Sequence, residues 1–310
     1  MKVIYGIGKV KKSYKKSVLA IGVFDGVHLG HQELITKTVK KAQLKNGQAI
    51  VMTFVPHPVK VLKPEIYMPY IITIPHRLRL IESLGVSVCV VVHFTSRFAN
   101  LTPENFIKRY LVDRIRPEEI LVGEEFRFGR DRKGTIDTFR EAGLKYGFVV
   151  SPMKPVNSED GKIGSTSIRK LIAAGQIAEA ARHLGRFVSI LGKVCKGDGR
   201  GSGLGFPTAN ITLNGEVLPP VGVYAALVKI DGQQFKAMAN VGRRPSFKSV
   251  TSPITLEVHI FNFSQYIYQK EVLVEFIEKI REEEMFRDKN LLIARLEKDA
   301  ILSEQILSKF

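Results

Sequence analysis

Two histidines three residues apart, His28 and His31, close the run Gly22-Val-Phe-Asp-Gly-Val-His-Leu-Gly-His. The run falls between a predicted strand and a predicted helix. Glycines there let the backbone turn tightly against a ligand, and free amides at a helix start attract phosphate. His28 and His31 suit charge building on an α-phosphate and a departing pyrophosphate. Gly22, Phe24, Asp25 and Gly30 are the accompanying phosphate-binding candidates. Asp25 keeps three readings: it orients the loop, meets a metal or caps a turn. A zinc set is incomplete, since no Cys or further His lies nearby. Neither GxGxxG nor GxxxxGK[ST] describes the run.

A second set of candidates lies in Gly197-Asp-Gly-Arg-Gly-Ser-Gly-Leu-Gly-Phe-Pro-Thr-Ala-Asn210. Its glycines, Gly197, Gly199, Gly201, Gly203 and Gly205, give an amide-rich segment able to wrap phosphates. Thr208 and Asn210 are oxygen donors two residues apart. In an extended chain they face one side and share a hard cation such as Mg²⁺. Glu257 falls in the alternating segment Leu256 to Ile260, with His259 on the same side by parity. A carboxylate there accepts the proton of a substrate alcohol attacking a γ-phosphate; a solvated strand position is the other reading.

Three further pieces could join the first set. Thr53-Phe-Val-Pro-His-Pro58 follows a predicted strand and rims its carboxyl end. Ser165, Thr166 and Arg169 open an amphipathic segment, where they hold phosphate or simply cap a helix. Glu125, Phe126 and Phe128 lie in a basic loop bounded by Gly123 and Gly134. That loop clasps a flavin or a nucleotide, or its aromatics are ordinary core.

Strand-like runs at Ser17 to Val23, Ala49 to Phe54, Val86 to Val92 and Ile120 to Val122 alternate with helix-like segments at Gln32 to Leu44 and Pro75 to Leu84. That order predicts a parallel sheet covered on both faces, with ligands beyond its carboxyl edge. Helices are expected from Ser165 to Gly175 and Ile177 to Leu184. From Phe187 onward, short alternating segments predict an antiparallel β-barrel or sandwich. These are Phe187 to Val194, Gly222 to Ile230, Phe235 to Val241 and Ile254 to Phe261. A final helical region is expected from Glu271 to Leu307, broken near Asp288. A domain boundary is placed after residue 186, giving 1–186 and 187–310.

A chain of 310 residues with 45% hydrophobic content supports two packed cores. Its net charge of +17 attracts anions without choosing among them. No basic stripe or nucleic-acid motif stands out, so no nucleic acid is expected. Cys89 and Cys195 form no CxxC pair, and no run approaches the roughly 18 apolar residues of a membrane span. A cytoplasmic, soluble protein is expected, its oligomeric state open.

GxFDGxHxGH, TFxPHP, the GxxFxFG loop and the STxIR segment together resemble the adenylyltransferase module of bacterial bifunctional riboflavin kinase/FAD synthetases. That family belongs to the HxGH nucleotidyltransferases. The glycine loop, PTAN and the Glu257 strand resemble the family's riboflavin kinase module, in the same order. The resemblance spans about residues 17–175 and 187–305. It implies a Rossmann-like nucleotidyltransferase domain, then a six-stranded antiparallel β-barrel riboflavin kinase domain with a C-terminal helix. It implies that His28 and His31 contact ATP phosphates, with Ser165, Thr166 and Arg169 closing over them while the FMN phosphate attacks the α-phosphorus. In the kinase half it implies Mg-ATP on the glycine loop with Thr208 and Asn210, Glu257 as base for the riboflavin 5′-hydroxyl, and Arg281 near the flavin. Glu125 stands where the family has Asn or Asp, Gly164 where it has Ser, and Asn262 where it often has Asp. The first two departures keep a kinase-only enzyme with a weakened or repurposed first domain as an alternative. A non-catalytic flavin- or RNA-binding regulator is the other.

Overall fold

The Val- and Ile-rich runs of the first half become parallel strands because both their faces are buried. The computed structural model describes residues 1–10, 14–158, 161–197, 201–243 and 254–310. Strands β1 (Lys2–Tyr5), β2 (Val18–Ile21), β3 (Ala49–Val55), β4 (Val88–His93), β5 (Glu119–Gly123) and β6 (Val149–Met153) form one parallel sheet, ordered β1-β4-β3-β2-β5-β6. Helices α1 (Leu29–Leu44), α2 (Pro58–Leu62), α3 (Ile74–Ser83), α4 (Ser96–Ala99) and α5 (Pro103–Phe106) follow in chain order. A π-helical stretch (Ile107–Ile115) continues α5, and α6 (Ile136–Tyr146) leads to β6. On one face Leu19, Ile21, Ile50, Met52 and Val90 pack with Phe106, Leu111, Ile115 and Phe139. Leu34, Ile35, Val39 and Ala42 of α1 are buried, and that helix packs on β2, β3 and β5. Cys89 is fully buried, and burial pushes its thiol up to about 12, which leaves it a packing residue.

The chain runs from β2 outward to β3 and β4, and later continues through β5 and β6 on the other side of β2. The sheet's switch point therefore lies at the carboxyl end of β2, where such sheets hold ligands. A short pair, β7 (Asn157–Ser158) and β8 (Gly161–Lys162), follows the sheet.

The second architecture is a closed antiparallel barrel. Helices α7 (Ser165–Ala173) and α8 (Ile177–Leu184) precede β9 (Val188–Cys195), β10 (Ala209–Ile211), β11 (Gly222–Ile230), β12 (Gln233–Arg243), β13 (Ile254–Ile260) and β14 (Glu271–Arg281). The barrel order is β10-β13-β12-β11-β14-β9, and β9 closes it by also pairing with β10. Helix α9 (Lys289–Ile306) packs against β11, β12 and β14. By contacts, Met1–Met68 with Ile74–Ser165 forms one unit, and Pro69–Thr73 with Thr166–Phe310 the other. Helix α8 falls in the second unit because it packs on β9 and β14.

One expectation is corrected. Glu271 to Arg281 is a strand, and the last long helix begins only at Lys289, capped by Asp288, whose carboxylate accepts from the Asn290 amide at 2.8 Å. Val272, Val274 and Phe276 alternate into the core at 1%, 0% and 1% exposure, the period of a strand. Glu275, Glu278 and Lys279 lie three and four apart, so their charges imitate a helix. Lys229 pairs with Glu275 across the sheet at 3.0 Å. The edge strands β1 and β6 were not expected either; each is short and half-covered.

Within the sheet, Lys41 of α1 pairs with the buried Glu119, which also accepts from the Ser151 hydroxyl at 2.6 Å. Burial alone raises the Glu119 carboxyl. The Lys41 and Ser151 hydrogen bonds, with the charges of Lys41 and Lys45, outweigh it and hold the group below its ordinary 4.5. A depressed carboxyl contributes stability that is present above its unfolded value and lost as pH falls through its folded one. Unfolding in urea between pH 6 and 3 should therefore show stability dropping below about 4.5, and Glu119→Gln should flatten that drop while lowering stability at neutral pH.

Candidate active sites

The Gly22 to His31 loop sits at the carboxyl end of β2, and its shape is fixed by side chains rather than by length. Phe24 and Val27 adopt positive φ of 53° and 41°, a strained region for side chains of their size. Phe24 is 1% exposed and its ring lies against Gly22, where a Cβ would come within 2.9 Å of it. His28 caps α1: its Nδ1 accepts from the His31 amide at 3.4 Å. The two imidazoles stack with centroids 3.6 Å apart and 20° between planes, and Phe24 meets His31 edge-on at 5.2 Å. A Cβ on Gly30 would touch the His28 ring at 3.4 Å. Two imidazoles are thus presented together at a helix N-terminus, where the dipole favours an anion.

Asp25 is 1% exposed. Its partner is Arg77 of α3, fully buried, with Nη2 3.5 Å from the Asp25 carboxylate. Nη1 of Arg77 donates to the Thr53 hydroxyl at 3.3 Å and the Phe54 carbonyl at 3.4 Å. Thr53 in turn donates to the Val23 carbonyl at 2.8 Å. One guanidinium therefore ties the histidine loop to the end of β3. Arg77 was not legible as a site residue, because IPHRLRLIES reads as an ordinary amphipathic helix.

The Ser165 hydroxyl donates to the Asp25 carbonyl at 2.8 Å, which brings α7's first residue to this loop. Thr166 and Arg169 belong to the second unit, where Arg169 Nε donates to the Pro69 carbonyl at 2.9 Å. Glu125 is exposed, Phe126 is half-buried, and Phe128 stacks on Phe139 at 4.2 Å within the core.

The second site is a cavity of about 440 Å³ lined by residues of β10 to β14 and by Leu292 and Leu296 of α9. Gly201, Thr208, Asn210, Glu257 and Arg281 all line it, with His259 beside Glu257. Asn210 of β10, Glu257 of β13 and Asn240 of β12 are directly opposed across three neighbouring strands. That register puts an acceptor carboxylate between two carboxamides in one row. His259 Nδ1 lies 2.8 Å from the Pro207 carbonyl, a contact that needs the ring proton on Nδ1. Gly197 is glycine for a reason of space: a Cβ there would overlap the Asn210 carboxamide. Gly203 and Gly205 are exposed and do not line the cavity, and Gly199 lies outside the described residues. Sequence reasoning gave no role to Asn240 or Arg243 and missed Glu283, Glu284 and Phe286, which also line the cavity. Period-two alternation on β12 was the signal available for Asn240; the loop after β14 offered none.

Among the described residues no three His, Cys, Asp or Glu side chains group as a metal cage, and no helix is long and apolar enough to cross a membrane. A family model described as FAD synthetase matches residues 10–167, and one described as riboflavin kinase matches 184–307. A bifunctional riboflavin kinase/FMN adenylyltransferase of Buchnera aphidicola from Schizaphis graminum is 36% identical over 96% of each chain. Its Bacillus subtilis counterpart is 36% identical over 94% of this chain and 92% of that one; the Escherichia coli K12 protein is 33% identical over 98% and 97%. A crystal structure described as a macrolide-efflux protein of Streptococcus pneumoniae superposes with a TM-score of 0.86 at 32% identity, over 98% of this chain and 99% of that one.

Because Arg77 neutralises a buried carboxylate, Arg77→Met should destabilise the first unit by about 3–5 kcal/mol. Chemical denaturation followed by circular dichroism measures this, and Arg77→Lys should recover part of the loss.

Proposed function

The chain belongs to the family of bifunctional riboflavin kinase/FMN adenylyltransferases, and from that premise we propose that it converts riboflavin and ATP to FMN, then FMN and a second ATP to FAD. Residues 1–186 carry adenylyl transfer and 187–310 the kinase, as the two family matches support. The observation that carries the reading is the row Asn210, Glu257 and Asn240 in one cavity with Thr208 and Arg281.

In the kinase reaction the riboflavin 5′-hydroxyl oxygen bonds to the γ-phosphorus while the bond to the ADP oxygen breaks. Glu257 accepts the hydroxyl proton. Gly197, Gly199, Gly201, Gly203 and Gly205 supply backbone amides to the phosphates. Thr208 and Asn210 would hold Mg²⁺; they offer hard oxygen donors, and the Asn210 carboxamide fills the space a Gly197 side chain would need. Magnesium, when bound, neutralises charge on the transferred phosphoryl group. Arg281 contacts the flavin.

In the adenylyl reaction an FMN phosphate oxygen bonds to the α-phosphorus and pyrophosphate leaves. His28 and His31, stacked at the start of α1, stabilise the charge on the α-phosphate and the leaving group. Gly22, Phe24, Asp25 and Gly30 shape that loop, Ser165, Thr166 and Arg169 bind phosphate, and Glu125, Phe126 and Phe128 border the flavin. No covalent intermediate is needed, since positioning and electrostatics suffice. We place the enzyme in the cytoplasm, acting on small molecules, with no nucleic acid and no membrane.

A second reading, a kinase with weakened adenylyl transfer, is favoured by two residues. Glu125 adds an exposed acidic side chain beside a polyanionic substrate, and Gly164 brings no hydroxyl next to Ser165. Chromatography of purified protein with riboflavin, ATP and Mg²⁺ separates the readings: FMN followed by FAD supports the first, and FMN alone supports the second. Glu257→Ala should lower FMN formation by about 10²–10⁴-fold and spare FAD formation from supplied FMN. His31→Ala should lower FAD formation by about 10²–10³-fold and spare the kinase. Equal damage to both half-reactions by either folded variant refutes the two-site assignment.

A further inference from the structure

Arg281 enters the barrel cavity from the end of β14, and a guanidinium on four rotatable bonds needs a fixed partner to stay there. The partner is Asp299 of α9, 2% exposed, whose carboxylate accepts from Arg281 Nε at 2.7 Å. The same carboxylate receives Arg295, one helical turn earlier, at 3.3 Å. Ser303 donates to the Asp299 carbonyl at 2.7 Å, tying the next turn of the helix to the same residue. Arg281 Nη1 donates to the Glu282 carbonyl at 2.9 Å, and the guanidinium lies 5.8 Å from the Phe286 ring centroid. Two of its three nitrogens are therefore committed to protein. Nη2 has no protein hydrogen bond among the described residues, and Arg281 borders the cavity that also holds Glu257 and Thr208.

We propose that Asp299 is a positioning residue of the kinase reaction: through its ion pair it fixes the Arg281 guanidinium so that the remaining donor edge serves the flavin substrate. The inference rests on the kinase reading above and extends it, because that reading gives α9 no part in the chemistry. A buried carboxylate flanked by two arginines is costly to desolvate, and packed apolar residues would hold the helix on the barrel equally well. The charge is thus explained by what it does to Arg281.

The test is steady-state kinetics of FMN formation by the full chain, varying riboflavin and ATP separately. Asp299→Asn keeps the shape and removes the charge. It should raise the riboflavin KM about tenfold or more, the scale of a misplaced contact, while kcat and the ATP KM change about twofold at most. Adenylyl transfer to supplied FMN should be unchanged. Asp299→Glu, which keeps the charge but displaces it, should raise the same KM by less. This variant also gives the answer if Asp299→Asn does not fold. In an Arg281→Lys background, Asp299→Asn should add little, because both changes remove one interaction. A folded Asp299→Asn or Asp299→Glu enzyme with unchanged riboflavin KM overturns the proposal, as does full additivity in the double variant. Absence of FMN formation by the unaltered chain would instead overturn the kinase reading, and the positioning role with it.

Discussion

Closure of the barrel through β14 is the constraint on which the second site depends. This strand pairs with β11 along one edge and β9 along the other, so its own register is fixed from both sides. Strand β13 is fixed the same way between β10 and β12, which sets Glu257 opposite both Asn210 and Asn240. A one-residue slip of any of these strands would turn its polar side chain from the cavity into the core. The hydrogen-bonded ladder therefore does chemical positioning as well as structural support. Burying Tyr224, Phe276, Val274 and Ala226 inside the closed sheet supplies the apolar gain that holds that register.

The first site uses a different device. Its loop leaves the middle of a parallel sheet and must turn back into α1 within a few residues. Positive φ at Phe24 and Val27 stores strain that only surrounding contacts can hold. Arg77 provides one such contact through Asp25 and the end of β3, and Ser165 provides another through the Asp25 carbonyl. The histidines themselves are held by each other: one caps the helix through the other's amide while their rings stack. The stacked imidazoles are thus distinct from the buried Asp25–Arg77 pair that anchors their loop.

Much of this was legible before any coordinates. The strand-loop-helix setting of His28 and His31 followed from an apolar run, a glycine turn and an amphipathic stretch. Parity put Thr208 and Asn210 on one side of their segment, and Glu257 and His259 on one side of theirs; the pairing of β10 with β13 brings the two pairs to one cavity. What failed to show was interaction at a distance. Arg77 reads as a helix-surface charge until its helix is packed against the sheet, where it becomes fully buried. Glu271 to Arg281 carries charges at helical spacing, and only tertiary burial of Val272, Val274 and Phe276 decides for a strand. Glu283, Glu284 and Phe286 sit in a segment with no regular structure, so no periodicity pointed to them.

The two sites also differ in how they use charge. The chain's excess of 17 positive charges gathers anionic substrates over its whole surface, without distinguishing one nucleotide from another. Discrimination has to come from a few groups whose orientation is locked. In the histidine loop they are two stacked imidazoles at a helix N-terminus, a setting whose dipole favours negative charge. In the barrel they include a carboxylate, which repels phosphate unless a cation intervenes and is able to take a proton from a neutral hydroxyl. The barrel cavity sets that carboxylate between two carboxamides, with apolar, basic and further acidic side chains around it. That difference in charge suits the barrel to an uncharged alcohol, as the proposed kinase reaction requires, and the histidine loop to a phosphorylated one.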